Sequence, residues 1–142
     1  MNTTLSKDSL RLATKLIGTP YLVNGKDPKG FDCWGLVWYF YNKIGIKTTD
    51  PLDYSFRKTA KTKSKAFNEA LISNNFVRIE KPQKNCIVSF SKNGYTVHVG
   101  IFLGKTEGCL HSCSNGVVCE NIEKIKSLRC LTYEFYQWQK LA

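Results

Sequence analysis

The sequence predicts an α+β fold in which N-terminal helices pack on a C-terminal antiparallel sheet. Three observations indicate it. Apolar residues recur at helical spacing in the first half of the chain. From Val77 onward, short apolar runs alternate with Gly, Asn and Lys turns, which is typical of antiparallel strands. The length of 142 residues, with 42% hydrophobic and 23% charged residues, predicts a single globular domain over residues 1–142.

Helical periodicity predicts three helices. The first ends at Gly18, since Pro20 lacks an amide hydrogen and restricts the residue before it. The second opens after Asp32, whose carboxylate can cap the free amides of the first turn, and closes at Gly45. Its apolar stripe is the clearest helical pattern in the chain. The third follows a polar connector and takes Ser64 as its N-cap.

The second half of the chain predicts strands joined by short turns. The candidate strands are Cys86–Phe90, Val97–Leu103, Cys109–Ser112, Val117–Ile122 and Leu128–Tyr136. Short connections between consecutive strands favour a meander, in which each strand pairs with the next one along the chain. We therefore expect one antiparallel sheet with neighbours in sequence order.

The chain is strongly basic. It contains 21 Lys and Arg against 11 Asp and Glu, a formal net charge of +10, which predicts an anionic partner or surface. Several of these charges form a basic cluster, Arg57–Lys65, with no acidic residue between them. We expect this cluster to be either solvated surface or a contact for an anionic wall polymer. No phosphate-binding loop is present, and the aromatic residues surround one helix, so a nucleic-acid partner is not expected.

Two further classes of protein are not expected. No apolar run is long enough to span a membrane, and the first twenty residues lack the apolar core of a secretory signal. We expect synthesis in the cytoplasm without a Sec signal, and reduced thiols. Zinc-type ligands occur at Cys109, His111, Cys113 and Cys119, but alternate residues of one strand do not easily converge on a tetrahedral ion. We therefore expect no metal and no other cofactor.

Cys33 is predicted to lie in the first turn of the second helix. Free amides and the helix dipole favour the thiolate there, which is the nucleophilic form of cysteine. A cysteine nucleophile also needs a proton donor for the leaving group, and imidazole suits that role at neutral pH. The chain contains two histidines, His98 and His111, both in predicted strands. In adjacent strands, one would pair with Cys33 and the other would fix its tautomer.

Four motifs resemble, in order, those of NlpC-type cell-wall cysteine peptidases. They are Gly18-Thr-Pro-Tyr21, Gly30-Phe-Asp-Cys33-Trp-Gly-Leu36, His98-Val-Gly-Ile-Phe-Leu-Gly104 and Leu110-His111. The Asp-Cys-x-Gly-Leu and His-Val-Gly-Ile pair is the specific part of the resemblance. Asn24 stands in a turn where the family often has glycine, and asparagine tolerates left-handed backbone. The tryptophan after the cysteine is similar to the version in bacteriophage tail-tip peptidases.

The resemblance implies a papain-like fold with the nucleophile at a helix N-terminus. It implies hydrolysis of amide bonds in peptidoglycan stem peptides, usually between D-γ-glutamyl and the diamino acid that follows. By motif position, Cys33 matches the nucleophile, His98 the base, and His111 the residue that orients the base. Tyr21 matches a tyrosine that contacts the substrate or the oxyanion, and the Cys33 amide is a further oxyanion donor.

The resemblance leaves alternatives open. We expect a phage tail component that opens the cell wall at the virion tail tip, with other tail proteins as partners. A secreted interbacterial toxin would reach the same substrate by another route. A papain-like amidase or acyltransferase would use the same Cys–His pair on a different substrate. A non-catalytic basic binding module would use neither residue chemically.

Overall fold

The computed structural model describes residues 3–50, 59–129 and 131–139. The elements in chain order are helix α1 (Thr3–Leu16), strands β1 (Lys26–Asp27) and β2 (Gly30–Phe31), helices α2 (Cys33–Lys43) and α3 (Ala60–Ser73), strands β3 (Phe76–Ile79), β4 (Ile87–Lys92), β5 (Tyr95–Gly104), β6 (Gly108–Cys113) and β7 (Gly116–Glu120), helix α4 (Ile122–Arg129) and strand β8 (Thr132–Trp138). Helices α1 to α3 precede a six-stranded antiparallel sheet, which confirms the predicted α+β class. Arg57 and Lys58 of the basic cluster lie outside the described residues.

Helix α2 is the predicted second helix and carries the candidate nucleophile at its first position. Its N-cap is Asp32, whose carboxylate accepts a hydrogen bond from the Gly35 amide at 2.7 Å. The helix ends at Lys43 with Ile44 as its C-cap, and Gly45 follows with a left-handed φ of +98°. The predicted apolar stripe is buried, at Leu36, Val37, Phe40 and Tyr41. Burial of this stripe anchors the helix against the sheet and so fixes its N-terminus.

Helix α3 begins earlier than the sequence predicted. Its N-cap is Thr59, which forms a reciprocal capping box with Thr62, so the prediction of Ser64 as the cap is wrong. Ser64 lies inside the helix, buried, and its hydroxyl accepts the Thr96 amide of β5 at 2.8 Å. Thr59 and Thr62, upstream of Ser64, cap the helix reciprocally, whereas the Ser64 hydroxyl binds the sheet.

The large sheet has the strand order β3-β8-β4-β5-β6-β7. Strands β4 to β7 form the predicted meander, each antiparallel to the next. The last strand departs from this pattern, because β8 returns to lie between β3 and β4. Strand β3 was not among the predicted strands. It is short, and its pairing partner β8 lies more than fifty residues further along the chain.

The predicted strand Leu128–Tyr136 is wrong in its first part. The chain forms helix α4 there, and β8 starts only at Thr132. The side-chain oxygen of Asn121 accepts the Glu123 amide at 2.8 Å, which starts the helix. Helix α4 presents Ile125 to the sheet face that the other helices do not cover. The sequence assigned Ile122 and Leu128 to the strands on either side, so the helical spacing of Ile122, Ile125 and Leu128 was overlooked, and the end of the predicted strand Val117–Ile122 is wrong as well.

The central strands are buried on both faces. Leu36, Phe40 and Ile101 belong to the core between the helices and the sheet, whereas Val88 and Phe90 belong to a second core on the opposite face. Two-sided burial explains the continuous apolar runs in these strands. None of the described helices is long and apolar enough to cross a membrane.

Candidate active site

The loop before helix α2 holds the candidate nucleophile in place. Asp32 uses both carboxylate oxygens, one for the Gly35 amide and the other for the Asn24 amide at 3.1 Å. Asn24 has a φ of +61°, so asparagine does occupy the left-handed position in this turn. Burial raises the pKa of the Asp32 carboxyl, while these amides and the nearby Lys63 ammonium lower it. The carboxylate therefore fastens the loop to the first turn of the helix.

Glycines allow this loop to pack directly on the helix. A Cβ at Gly35 would overlap the carbonyl oxygen of Gly25, and a Cβ at Gly25 would overlap the carbonyl oxygen of Gly30. The same Gly25 carbonyl accepts the Asp32 amide at 3.0 Å. Loop and helix thus meet backbone to backbone, which leaves Cys33 no freedom to shift along the helix axis.

Cys33 is half-buried at the first position of α2, and the backbone amide of Val99 on β5 lies near its sulfur. Burial, followed by the charge of Asp32, raises the pKa of the Cys33 thiol to about 12. The backbone amides of Val99, Trp34 and Cys33 itself lower this pKa, but by less. The amides that the sequence placed at this position do favour the thiolate, but burial outweighs them. Cys33 is therefore a neutral thiol at rest and needs a base to become a nucleophile.

His98 lies next to Val99 on β5 and is 5% exposed. Its Nε2 is 2.8 Å from Nδ1 of His111 on the adjacent strand β6, and the two rings meet nearly edge to face. Burial, then the neighbouring His111 and Arg129, lower the pKa of His98 to about 3. The imidazole is therefore neutral at physiological pH.

Glu120 completes a hydrogen-bonded chain behind the two histidines. Its carboxylate oxygen Oε1 is 3.3 Å from Nε2 of the buried His111. A carboxylate only accepts hydrogen bonds, so Nε2 of His111 carries the hydrogen and Nδ1 accepts one from Nε2–H of His98. Nδ1 of His98 then keeps its lone pair. The tautomer with a free Nδ1 is the one that can take a proton from Cys33.

Sequence reasoning missed Glu120. The residue is the one acidic side chain in the strand predicted to follow His111, and antiparallel pairing places it opposite Cys109, two positions from His111 on the same face. The alternation of side chains between the two faces of each strand therefore already indicated that Glu120 could lie on the same face as His111. It could be used only once the register of β6 and β7 was known.

Tyr21 lies at the mouth of the site. A bridge pairs it with Phe31, two residues before Cys33, and its side chain is half-exposed. Burial, then the charges of Cys33 and Asp32, raise the pKa of its hydroxyl, which places the ring close to the nucleophile. The structure thus places Tyr21 close to Cys33, and it places His98 beside His111, next to the Val99 whose amide lies near the Cys33 sulfur. The arrangement offers a thiol, an oriented neutral base and hydrogen-bond donors, which are the groups that acyl transfer requires.

The comparison with known proteins agrees with this geometry. The NlpC/P60 family model matches residues 18–132 of the chain. The chain is 31% identical over 111 residues to the probable endopeptidase YafL of Escherichia coli strain K12, which covers 70% of this chain and 40% of that protein. It is 31% identical over 107 residues to the probable peptidoglycan endopeptidase LytE of Bacillus subtilis strain 168, with 74% of this chain and 26% of that protein covered. The chain thus spans less than half the length of these curated relatives.

A solved structure shares the fold. The crystal structure of the NlpC/p60 domain of the peptidoglycan hydrolase SagA superposes with a TM-score of 0.60 at 22% identity, covering 92% of this chain and 97% of that one. This likeness shows the papain-like fold that the sequence predicted. With the family model matched from Gly18 to Thr132, across every motif that the resemblance rested on, the chain belongs to the NlpC/P60 family.

Proposed function

We propose that this protein is a cysteine endopeptidase that hydrolyses peptidoglycan stem peptides at the bond between D-γ-glutamyl and the diamino acid. The observation that carries the proposal is the hydrogen-bonded chain from Glu120 through His111 to His98, beside the Val99 amide that contacts the Cys33 sulfur. Several similar proteins are named as endopeptidases, LytE among them as a peptidoglycan endopeptidase.

The first half of the reaction forms an acyl-enzyme. Nδ1 of His98 takes the Cys33 proton as the sulfur attacks the substrate carbonyl carbon. The Cys33 amide and the Tyr21 hydroxyl donate hydrogen bonds to the oxyanion. The resulting imidazolium gives its proton to the leaving amine, and the C–N bond breaks. His111 and Glu120 stabilise the imidazolium while it exists, since Nε2–H of His98 still donates to Nδ1 of His111.

The second half releases the product. Water attacks the thioester carbonyl, and His98 accepts its proton. The thiolate of Cys33 leaves and is reprotonated by the imidazolium, which restores the neutral pair. Because burial disfavours both charges at rest, the ion pair forms only during these steps.

Digestion of purified sacculi tests the activity and the bond. Wild-type protein is expected to release fragments whose masses correspond to cleavage after D-γ-glutamate, and Cys33→Ala is expected to release none. Intact stem peptides after incubation with wild-type protein would overturn the proposal. Loss of ammonia, or transfer of the acyl group to an added amine without hydrolysis, would assign the same residues to an amidase or acyltransferase.

We also propose that the enzyme acts on the wall as part of a phage tail tip. The support is the Cys33-Trp34 motif, similar to that of tail-tip peptidases; Trp34 is buried against Phe67 of α3. Mass spectrometry of purified particles from a producing strain is expected to detect the protein in the virion. Its detection only in the culture medium of cells without particles would favour the secreted-toxin alternative.

A further inference from the structure

Three ligand-type side chains converge at one end of the hydrogen-bonded chain. His111 and Cys113 lie two positions apart on one face of β6, and Glu120 reaches them from β7. One ligand atom from each lies within 4.8 Å of the other two. All three residues line a cavity of about 260 Å³ that helix α4 closes on one side. The cavity leaves room for water beside the cluster.

We propose that His111, Cys113 and Glu120 form a binding site for a divalent transition metal of the zinc class, and that the bound ion switches the peptidase off. The site follows from the geometry alone, whereas the switch rests on the proposed function. The donor set of one imidazole, one thiolate and one carboxylate is of the type that zinc binds, with a water as the fourth ligand.

The ligand from the neighbouring strand β7 allows the ligands to converge, which alternate residues of one strand do not easily do. Cys109 was a candidate ligand, but it is buried, and its thiol points to the Leu110 carbonyl oxygen at 3.8 Å. Cys119 lies opposite Leu110 on β7, and Glu120, the next residue, supplies an oxygen instead, so two ligands come from β6 and one from β7. Bonds of about 2.0–2.3 Å require the three ligand atoms to approach by about an ångström, which side-chain rotation supplies.

The surrounding charges affect the affinity. A Cys113 thiolate and the Glu120 carboxylate together balance a divalent ion. Lys124 contacts the other Glu120 oxygen at 3.6 Å, and being 62% exposed it is free to turn to solvent. Arg129 also lines the cavity and is exposed, so its charge opposes the ion through water. These cations favour reversible binding over permanent occupation.

Binding at His111 would change the tautomer of the catalytic base. A metal takes the Nε2 lone pair, so the hydrogen that Nε2 donates to Glu120 leaves, and Nδ1 of His111 must carry one instead. The Nδ1–H group of His111 then donates to Nε2 of His98. The hydrogen of His98 therefore moves from Nε2 to Nδ1 of the same ring by exchange with solvent. The two rings keep two hydrogens between them, and Cys113 releases its thiol proton to the solvent. His98 then has no free lone pair to take the Cys33 proton, so in the proposed mechanism the thiol stays protonated.

Cobalt(II) is the probe for the site, because a cysteine ligand gives a sulfur-to-cobalt charge-transfer band. Cys33→Ala removes the sulfur of the candidate nucleophile, which would otherwise compete for cobalt. We expect the band in Cys33→Ala, its loss in Cys33→Ala/Cys113→Ser, and its retention in Cys33→Ala/Cys119→Ser, the matched control. A band that survives Cys113→Ser, or no band in Cys33→Ala, would overturn the site. Circular dichroism confirms that each variant is folded.

Activity measurements test the switch. Zinc should inhibit wild-type cleavage, and a chelator should restore it. The zinc concentration for half inhibition should rise at least about tenfold in Cys113→Ser and stay unchanged in Cys119→Ser. Equal inhibition of wild type and Cys113→Ser would place the inhibiting ion elsewhere and overturn the switch. If wild-type protein cleaves no sacculi at all, the proposed function fails, and the cobalt measurement still decides the site.

Discussion

At the scale of single residues, the direction of the hydrogen bonds decides what the two histidines can do. Glu120 accepts from His111, His111 accepts from His98, and the lone pair that remains is on Nδ1 of His98. Reversal of either hydrogen bond would place a hydrogen on that nitrogen. If His98 is the base, as proposed, the carboxylate at the end of the chain orients it, and Glu120 is a positioning residue.

Substitution of Glu120 tests this role. Glu120→Ala removes both the acceptor and the charge, and we expect kcat to fall about 10- to 100-fold, less than the 10²–10⁴ that a whole general base contributes. Glu120→Gln keeps an acceptor oxygen and should recover part of that loss. KM should stay unchanged in both, and Glu107→Gln is the control for a lost carboxylate. An unchanged kcat in Glu120→Ala would contradict the role.

Burial of His98 also predicts a pH dependence of stability. Folding lowers the pKa of His98 from 6.5 to about 3, so between these values the unfolded chain binds a proton that the native state does not. The free energy of unfolding should therefore be highest above pH 6.5 and fall as the pH falls toward 3, by up to about 1.4 kcal/mol per pH unit. His111, whose pKa burial also lowers, contributes in the same direction.

Urea unfolding at several pH values, in buffer with a chelator, measures this effect. His98→Gln removes one titrating group, so its free energy of unfolding should change less steeply with pH than that of the wild type. The same slope in both proteins would show that His98 is protonated in the native state.

At the scale of elements, the close approach of a loop to a helix matters more than helix propensity. Alanine is normally better than glycine in a helix by about 1 kcal/mol. At Gly35 the sign reverses, because the added Cβ would overlap the Gly25 carbonyl oxygen and approach the Asp32 carboxylate. Neither contact can move without moving the backbone that holds Cys33.

We therefore expect Gly35→Ala to destabilise the protein by about 1–3 kcal/mol and to lower kcat. The control is Gly94→Ala in the turn between β4 and β5. Gly94 has a φ of +83° and open space around it, so alanine there costs stability through the backbone alone and should leave kcat intact. Thermal unfolding and sacculus digestion measure the two effects. A fully active, more stable Gly35→Ala would contradict the packing argument.

The helices and strands differ in whether local sequence was sufficient to predict them. Helix α2 followed from its cap, its apolar stripe and Gly45, all of which act within a few residues. Helix α4 and strand β3 did not, because their stability comes from contacts with distant parts of the chain. Ser64 was misassigned for the same reason, since its partner is Thr96 on β5. Local propensity predicts an element only where local contacts stabilise it.

At the scale of the whole molecule, some of the basic residues behind the net charge of +10 lie beside the candidate active site. Burial raises the pKa of Asp32 and the ammonium of Lys63 on α3 opposes that shift, so part of the basic cluster lies close to the loop before Cys33. Lys61 and Lys63 are both exposed. We propose that they attract the anionic cell wall and so raise the local substrate concentration.

The double substitution Lys61→Gln/Lys63→Gln tests this attraction. It should weaken binding to sacculi and reduce the dependence of cleavage on salt, because fewer charges are screened. Lys92→Gln/Lys105→Gln removes the same charge from exposed positions at the end of β4 and in the turn after β5 and is the matched control. Equal loss of binding in both variants would show that only the net charge matters.

The amino-acid sequence by itself determined the class of the fold, the cap and position of α2, and the residue types of the site. Each depends on periodicity, on turn chemistry or on motifs that a single strand or helix contains. The tertiary structure alone decided that β6 and β7 set Glu120 behind His111, that β8 enters the sheet beside β4, and that burial keeps Cys33 protonated at rest. Register, strand order and burial depend on contacts between residues far apart in the chain, and no local pattern encodes them.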